Sequence, residues 1–320
     1  MQTFKHIHFA AVLLLAGTIF GGCTKENIAP KTTAPVTAAS DDDMVITPAG
    51  MMQRSKVHFV EPGNELRVVG GRLQKIESAS GRMLGDYGEV TINKDPIHFG
   101  NDANFADVVP KTVNGWAAYA YWSNTKTTSP ITSFTTNWVV PSVPASSAGQ
   151  TIFLFNGMQD GTTASSYIIQ PVLQWGGSAA GGGNYWAVTN WYVSSSQAFY
   201  GTLVKVSTGT SLQGVMTETG TTGKNYNYTS VFTGYSAASS ITVSNVPQAF
   251  WAAETLEVYG VSKSTQYPNQ TSMPFSSIQI LQGTTNATIK WTAVAATGSS
   301  LPKAVIGSNS SPGGSVTIDF

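Results

Sequence analysis

Apolar and polar residues alternate along most of this chain in short runs, and no long stretch shows the 3.6-residue spacing of a helix. Alternation with a period of two is typical of strands that bury one face. Turn residues, such as the run Gly181-Gly182-Gly183, interrupt the pattern at short intervals. The pattern predicts strands at 131–140, 151–156, 167–175, 185–193, 202–207, 213–217, 226–232, 241–243, 250–261, 276–281, 287–294 and 315–320.

Many short strands with regular turn signals, and no internal repeat, predict an all-β fold. We expect a concanavalin-like or jelly-roll β-sandwich of two antiparallel sheets, formed by residues 110–320 and preceded by a small N-terminal segment. Residues 46–109 form that segment, because their charge density is ordinary and their β-like runs are short. The composition changes sharply near residue 110, where we place the boundary.

The first 23 residues read as a targeting segment. Lys5 precedes an apolar stretch at 9–20, which is too short to span a bilayer as a stable helix. The stretch ends at Gly21-Gly22-Cys23, which resembles a bacterial lipoprotein cleavage site, although Phe20 stands in place of the usual Leu. The resemblance implies that Cys23 is lipidated and anchors the chain in the bacterial cell envelope, at the outer membrane or cell surface. The alternative is an ordinary secretory signal with a stray Cys; either way the protein leaves the cytoplasm.

Residues 24–45 are rich in Thr, Ala and Pro, which predicts a flexible tether. The whole chain has 17 basic and 17 acidic residues. This balance argues against a nucleic-acid partner, which would need a basic stripe. We expect a monomer that contacts the membrane only through its N-terminal lipid.

The residues missing from 111–320 restrict the possible chemistry. This part has no His, Cys or Arg, which excludes a Ser-His-Asp triad, a Cys nucleophile or a His/Cys zinc site made from its own residues. Its acids are scattered, so a calcium site is not expected either. We therefore predict no metal and no cofactor. An acid–base group would be one of five carboxylates: Asp160, Glu218, Glu254, Glu257 and Asp319.

Glu254 and Glu257 lie in one predicted strand, three residues apart, and so should face opposite ways. Burial of Glu254 would raise its pKa and suit acid–base chemistry, whereas a place on a solvated rim would not. On another strand, Gln170 and Gln174 share one face, which could equally be exposed to solvent. Pro171 beside them suggests a bulge or an edge strand.

These residues resemble motifs of the glutamic peptidases, or eqolisins, over about residues 115–285. The stretch Ile168-Ile169-Gln170 matches the family's Ile-Leu-Gln strand, and 249–254 matches the spacing of its strand ending in Glu. An aromatic strand lies between them at 188–193. Further matching stretches are 136–141, 152–157 and 274–278. The chain also resembles uncharacterised secreted bacterial and fungal proteins with GWxAYAxWSN, IFLFNG and ETLEVYG stretches, which imply no activity.

The eqolisin resemblance implies a curved β-sandwich and a lipid-anchored acid endopeptidase acting on polypeptides. Its catalytic pair would be Gln170 and Glu254, with Gln174 as a competing candidate for the Gln. Residues 46–109 would be a pro-segment or cap. Asn190 replaces a family Glu, and the family's disulfides are impossible with a single Cys. The predicted substrate-binding residues are Trp175, Trp186, Asn190, Trp191, Tyr192 and Trp251.

Two alternatives remain open from the sequence. The first is a lectin-like module without catalysis, in which Trp175, Trp186, Trp191 and Trp251 stack on a glycan or an extended peptide. The second is a structural surface protein with no pocket. A peptidase needs an ionisable Glu254 and a binding module does not, so the ionisation of this residue distinguishes the peptidase from the lectin-like module.

Overall fold

The structure is a computed structural model that describes residues 43–94, 113–125, 128–161, 164–295 and 302–320. All of these fall in one compact unit, Ser40–Phe320. The predicted signal segment, Cys23 and the tether up to residue 42 lie outside the described residues, so the lipid anchor stays a prediction. Within the described ranges there is no helix long and apolar enough to cross a membrane.

One sheet has nine strands, numbered here in chain order. Its strands come from both ends of the described chain, and only β12 and β3 pair in parallel. Their order across the sheet is β20 (Thr292–Ala295), β7 (Val113–Ser123), β17 (Trp251–Val261), β9 (Thr151–Gln159), β10 (Tyr167–Ser178), β11 (Gly181–Ser194), β12 (Ala198–Tyr200) and β3 (Val57–Phe59), with β13 (Val204–Lys205) also paired to β11.

The second sheet has eleven strands and again one parallel pair, β16 with β4. Its order is β21 (Lys303–Ser308), β22 (Gly314–Asp319), β18 (Ser272–Gln282), β8 (Ile131–Val139), β14 (Ser211–Thr222), β15 (Asn225–Phe232), β16 (Ile241–Val246), β4 (Asn64–Val69), β5 (Arg72–Glu77) and β6 (Met83–Glu89), with β19 (Thr285–Asn286) paired to β18. A separate hairpin joins β1 (Met44–Thr47) to β2 (Gly50–Gln53), and short 3₁₀ turns span Arg54–Lys56, Ala237–Ser239 and Ser264–Gln266.

The two sheets form a sandwich with one large core between them. Leu154, Leu173 and Leu256 of the nine-stranded sheet belong to the same buried cluster as Phe134 and Phe275 of the other sheet. We call this side of the nine-stranded sheet its inner face. The opposite side, the outer face, carries a second buried cluster that is mostly aromatic: Trp116, Tyr119, Phe153, Phe155, Ile168, Val172, Trp191, Val193, Ala198, Trp251, Ala253 and Tyr259.

The predicted all-β sandwich is confirmed, with differences in detail. Strand β7, the two-residue-turn hairpin β1–β2, and strands β12 and β21 were not predicted. The sequence suggested a bulge or an edge strand at Pro171. The edge strand is wrong, because β10 is paired with a neighbouring strand on each side. The pairing with β9 skips Gln170 and Pro171, and this interruption accommodates the missing proline N–H.

The N-terminal segment is hydrogen-bonded into both sheets. Strand β3 extends the nine-stranded sheet beyond β12, and strands β4 to β6 extend the eleven-stranded sheet beyond β16. Both joints are the parallel pairs, so the sheets are mixed where a purely antiparallel arrangement was expected. The predicted domain boundaries at 45 and 110 stay predictions.

Candidate functional site on the outer face

The structure does not bring Gln170 and Glu254 together. Glu254 lies between Ala252 and Leu256, both in the inner core, whereas Gln170 lies between Ile168 and Val172, both in the outer cluster. The two side chains therefore point to opposite faces of the same sheet. The expected Gln170/Glu254 pair is corrected on this ground: side chains on opposite faces cannot share one substrate.

Glu254 is a core residue of the sandwich. Its side chain is fully buried, and the Thr136 hydroxyl of the facing sheet donates a 2.5 Å hydrogen bond to Oε1. Burial raises the pKa of Glu254 well above its ordinary value, and the Thr136 bond offsets this only in part. The raised pKa favours the neutral, protonated form of this carboxyl. Among the described residues, its Oε2 and the Oδ1 of Asn156, its cross-strand neighbour, have no hydrogen-bond partner.

A different pair meets on the outer face. Glu257 pairs across the β17–β9 ladder with Phe153, and Gln174 pairs with the same Phe153 across the β10–β9 ladder. Residues directly opposite on adjacent strands share a face, so Glu257 and Gln174 flank Phe153 on one side of the sheet. Their main chains are two strands apart, about 10 Å. Trp116 continues the row beyond Glu257.

Glu257 is the carboxyl group of this row. It is fully buried, and burial raises its pKa well above the ordinary value. The Tyr259 hydroxyl donates to Oε1, and Trp116 adds a smaller effect in the same pKa-lowering direction. Among the described residues, Oε2 makes no hydrogen bond of ordinary geometry, and the Trp116 indole N–H is likewise without one. A buried carboxyl with one oxygen unused is suited to exchanging a proton with a bound molecule.

Gln174 is held by the turn between β10 and β11. Its Nε2 donates to the carbonyls of Gly176 at 2.8 Å and Gly181 at 2.9 Å, and its Oε1 accepts from Ser178 at 2.8 Å. Gly182 has a φ of +106°, and a Cβ there would lie 2.4 Å from Gln174 Nε2. Glycine at 182 thus allows the turn to close over the amide.

The N-terminal hairpin covers the outer face. Ile46, Ala49 and Met52 pack against the aromatic cluster, and Ala179 in the β10–β11 turn donates its N–H to the Ile46 carbonyl at 2.9 Å. At the tip of the hairpin, Pro48 presents its carbonyl to Gln170 Nε2 at 3.5 Å. The face that carries Glu257 and Gln174 is therefore occupied by a segment of the same chain.

The predicted substrate-binding residues divide between the two faces. Trp191 and Trp251 are on the outer face, where Trp251 stacks on Tyr121 at 5.6 Å between ring centroids. The other four predictions are corrected, because alternation directs those side chains into the sandwich. These are Trp175, Trp186, Tyr192 and Asn190. The rings of Trp175 and Trp186 pack together, with 5.5 Å between their centroids, and burial raises the pKa of the Tyr192 hydroxyl. The Asn190 amide donates a hydrogen bond to the Ser239 carbonyl and accepts one from the Ser230 hydroxyl.

Comparison with known proteins finds solved structures whose fold is similar to that of this chain. No protein-family profile and no curated protein matches the sequence. Three similar solved structures are two of scytalido-glutamic peptidase with transition-state analogues and one of SCP-B, a member of the eqolisin family of peptidases, with the tripeptide Ala-Ile-His. Each is 14% identical and is covered completely by 66% of this chain, with TM-scores of 0.43, 0.42 and 0.40. The likeness is at the level of fold.

The described residues contain no group of three or more His, Cys, Asp or Glu side chains that could hold a metal ion. The polar side chains of the outer face include Glu257, Gln174 and the incompletely bonded amides of Gln159 and Gln170. Sequence reasoning named Gln174 as an alternative but missed Glu257 as its partner. The missing information was register: only the pairing of β9 with both neighbours shows that the two residues flank Phe153.

Proposed function

We propose that this protein is a glutamic-type acid peptide hydrolase, present here in a self-covered form. Glu257 is its acid–base group and Gln174 its amide donor. The observation that carries this proposal is the row on the outer face in which Glu257 and Gln174 flank Phe153. A scissile peptide lying over Phe153 would be within reach of both side chains.

The proposed chemistry balances with these two groups and water. The Glu257 carboxylate takes a proton from water as the water oxygen attacks the carbonyl carbon, and the resulting carboxylic acid returns that proton to the leaving amine. Gln174 Nε2 donates to the developing oxyanion, an effect of about 3 kcal/mol for one such donor. For this, the bond from Gln174 to the Gly181 carbonyl is exchanged for a bond to substrate.

The pattern around Gln174 supports its role. Eqolisins have a Gly two residues after the Gln of the Ile-Leu-Gln-Thr pattern, and here Leu173-Gln174-Trp175-Gly176 has that spacing. Gln170 lacks it, because Pro171 and Val172 follow. The correction from Gln170 to Gln174 thus agrees with both the register of the sheet and the resemblance.

The hairpin that packs on the outer cluster supports a covered form of the proposed site. We propose that residues 46–109 serve as the cap, with the hairpin over Gln174 and strands β3 to β6 securing it to the sheet edges. Opening this cap would hydrate Glu257 and lower its pKa toward the acidic range. Lipid attachment at Cys23 would hold the enzyme in the bacterial cell envelope.

The test uses residues 24–320, which retain every described residue and omit Cys23. Cleavage of a denatured protein is followed from pH 2 to 7, with pepstatin present to exclude aspartic peptidases. Glu257→Gln should abolish the acid-side activity, and the matched variant Glu254→Gln, on the same strand but the inner face, should retain it. Gln174→Ala should lower kcat by about 100-fold or more. Loss of activity in Glu254→Gln with retention in Glu257→Gln would overturn the assignment.

A binding module is the second candidate, supported by the aromatic face itself. Trp191, Trp251 and Tyr121 offer stacking surface without any need for a carboxyl. A folded chain that cleaves nothing, with or without removal of the cap, but binds a peptide or glycan on this face would favour that function.

A further inference from the structure

Gln170, which the proposed catalysis does not use, lies in a row of the outer face that has small residues at its centre. Across the sheet its row runs from Trp191 through Gln170, Gly157 and Ala253 to Tyr121. A Cβ at Gly157 would approach Gln170 Oε1 at 3.6 Å and Ile168 at 3.1 Å. The two smallest residues of the row, Gly157 and Ala253, therefore lie between the large rings of Trp191 and Tyr121.

The amides in and beside this row are buried but incompletely bonded. Gln170 Oε1 has no partner, and neither amide atom of Gln159 has one among the described residues. Gln159 pairs with Ile168 and so lies diagonal to Gln170 on the same face. Both side chains are fully buried. Native proteins rarely leave buried amides unpaired, so these atoms are available to hydrogen-bond a bound molecule.

The hairpin shows what kind of ligand fits there. Its tip places the Pro48 carbonyl 3.5 Å from Gln170 Nε2, a long and weak bond, while Ile46, Ala49 and Met52 contact the surrounding apolar cluster. The occupant is thus a neutral polypeptide whose main-chain carbonyl is recognised by a side-chain amide. A glutamine amide has one donating and one accepting end, as does the peptide group that it would recognise.

We infer that Gln170, with Gln159, forms a subsite that recognises the main chain of an extended, uncharged, apolar polypeptide, and that the hairpin occupies it as an internal mimic. This inference rests on the proposed function for its link to hydrolysis. Gln170 lies four residues along β10 from Gln174, a distance of about 13 Å. A substrate that reaches both must therefore extend about four residues beyond the scissile bond.

The first experiment measures occupancy of the subsite without hydrolysis. Amide hydrogen exchange of residues 44–53 is followed in chain 24–320, alone and with a synthetic peptide copying residues 43–54. Gln170→Ala should accelerate exchange of the hairpin about threefold to tenfold. Gln213→Ala, on the other sheet, should not. Added peptide should displace the hairpin and accelerate its exchange in the parent. Pro48→Ser tests the same contact from the hairpin side if Gln170→Ala fails to fold.

The second experiment measures hydrolysis of a length series of apolar peptides. Gln170→Ala should raise KM about threefold to tenfold for peptides that extend four residues toward the subsite, leave kcat unchanged, and have no effect on shorter ones. If no peptide is cleaved but the exchange results hold, the subsite stands and the proposed hydrolase fails. Unchanged exchange in both Gln170→Ala and Pro48→Ser, or displacement of the hairpin by oligosaccharides and not by peptide, would overturn the subsite.

Discussion

Glu254 and Glu257 stand three residues apart on β17 and point to opposite faces of the nine-stranded sheet. Glu254 accepts a hydrogen bond from the Thr136 hydroxyl inside the sandwich, and Glu257 accepts one from the Tyr259 hydroxyl on the outer face. Burial raises the pKa of both carboxyls. The same physical effect thus acts on two groups on opposite faces of the sheet: Glu254 is in the core between the sheets, and Glu257 is on the face where the hairpin packs.

Substitution of Glu254 should reveal a structural role. Glu254→Gln keeps the shape and the acceptor for Thr136, so the free energy of unfolding at pH 7 should change by less than about 1 kcal/mol. Glu254→Ala should cost about 2–4 kcal/mol, because it leaves a cavity and removes the acceptor of the Thr136 hydroxyl. Denaturant unfolding measures both. A large loss in Glu254→Gln would show that the residue is ionised in the folded protein.

The raised pKa values predict a pH dependence of stability. Above the pKa of an unfolded Glu, about 4.3, the folded protein binds more protons than the unfolded chain. The contribution of these two carboxyls to the free energy of unfolding should therefore be largest at acidic pH and fall as pH rises from about 4.5, by at most about 1.4 kcal/mol per pH unit for each carboxyl.

The double variant Glu254→Gln/Glu257→Gln isolates this effect. Unfolding of parent and variant is compared from pH 4.5 to 8, and the difference between them should grow in favour of the variant as pH rises. Parallel curves would mean that neither carboxyl retains its proton on folding. Other groups, such as Asp86 with its pKa lowered to about 2 by Arg72, contribute equally to both curves.

The alternation of residues was sufficient to predict the sandwich and the opposite orientation of the two Glu side chains. For β9 it predicted a strand at 151–156, but it could not show that all nine residues of that strand are buried because both of its faces are covered. It also failed to identify the hairpin cover, since packing of Ile46 on a distant aromatic face leaves no local signal. The row Glu257–Phe153–Gln174 needs the pairing of three strands that are far apart in sequence, which no local pattern supplies.

Gly214 should be intolerant of any side chain. It sits where β14 crosses the inner face, and a Cβ there would lie 2.6 Å from Asn156 Oδ1, 2.7 Å from Pro171 Cγ and 2.8 Å from Trp138 Cη2. Gly214→Ala should lower the free energy of unfolding by about 1–3 kcal/mol through overpacking. The matched Gly177→Ala has open space around it and should stay within about 0.5 kcal/mol of the parent. Equal stability of the two variants in thermal or denaturant unfolding would contradict the close packing.

The two adjacent methionines of β2 offer a matched test of the cover. Met52 packs on the outer aromatic cluster, whereas Met51 is 49% exposed. Met52→Asp places a charge against apolar rings and should loosen the hairpin, whereas Met51→Asp should not. The exposed aromatic face would then bind the dye ANS, and amide exchange in residues 44–53 should accelerate about tenfold or more.

The same pair also connects the cover to activity. If the hairpin blocks the row of Glu257 and Gln174, Met52→Asp should raise acid hydrolysis, and Met51→Asp should match the parent. The increase in hydrolysis should disappear when Glu257→Gln is added to Met52→Asp, because uncovering the face cannot raise activity once the acid–base group is gone. Identical dye binding, exchange and hydrolysis in the two methionine variants would show that the hairpin is an ordinary part of the fold and controls no access.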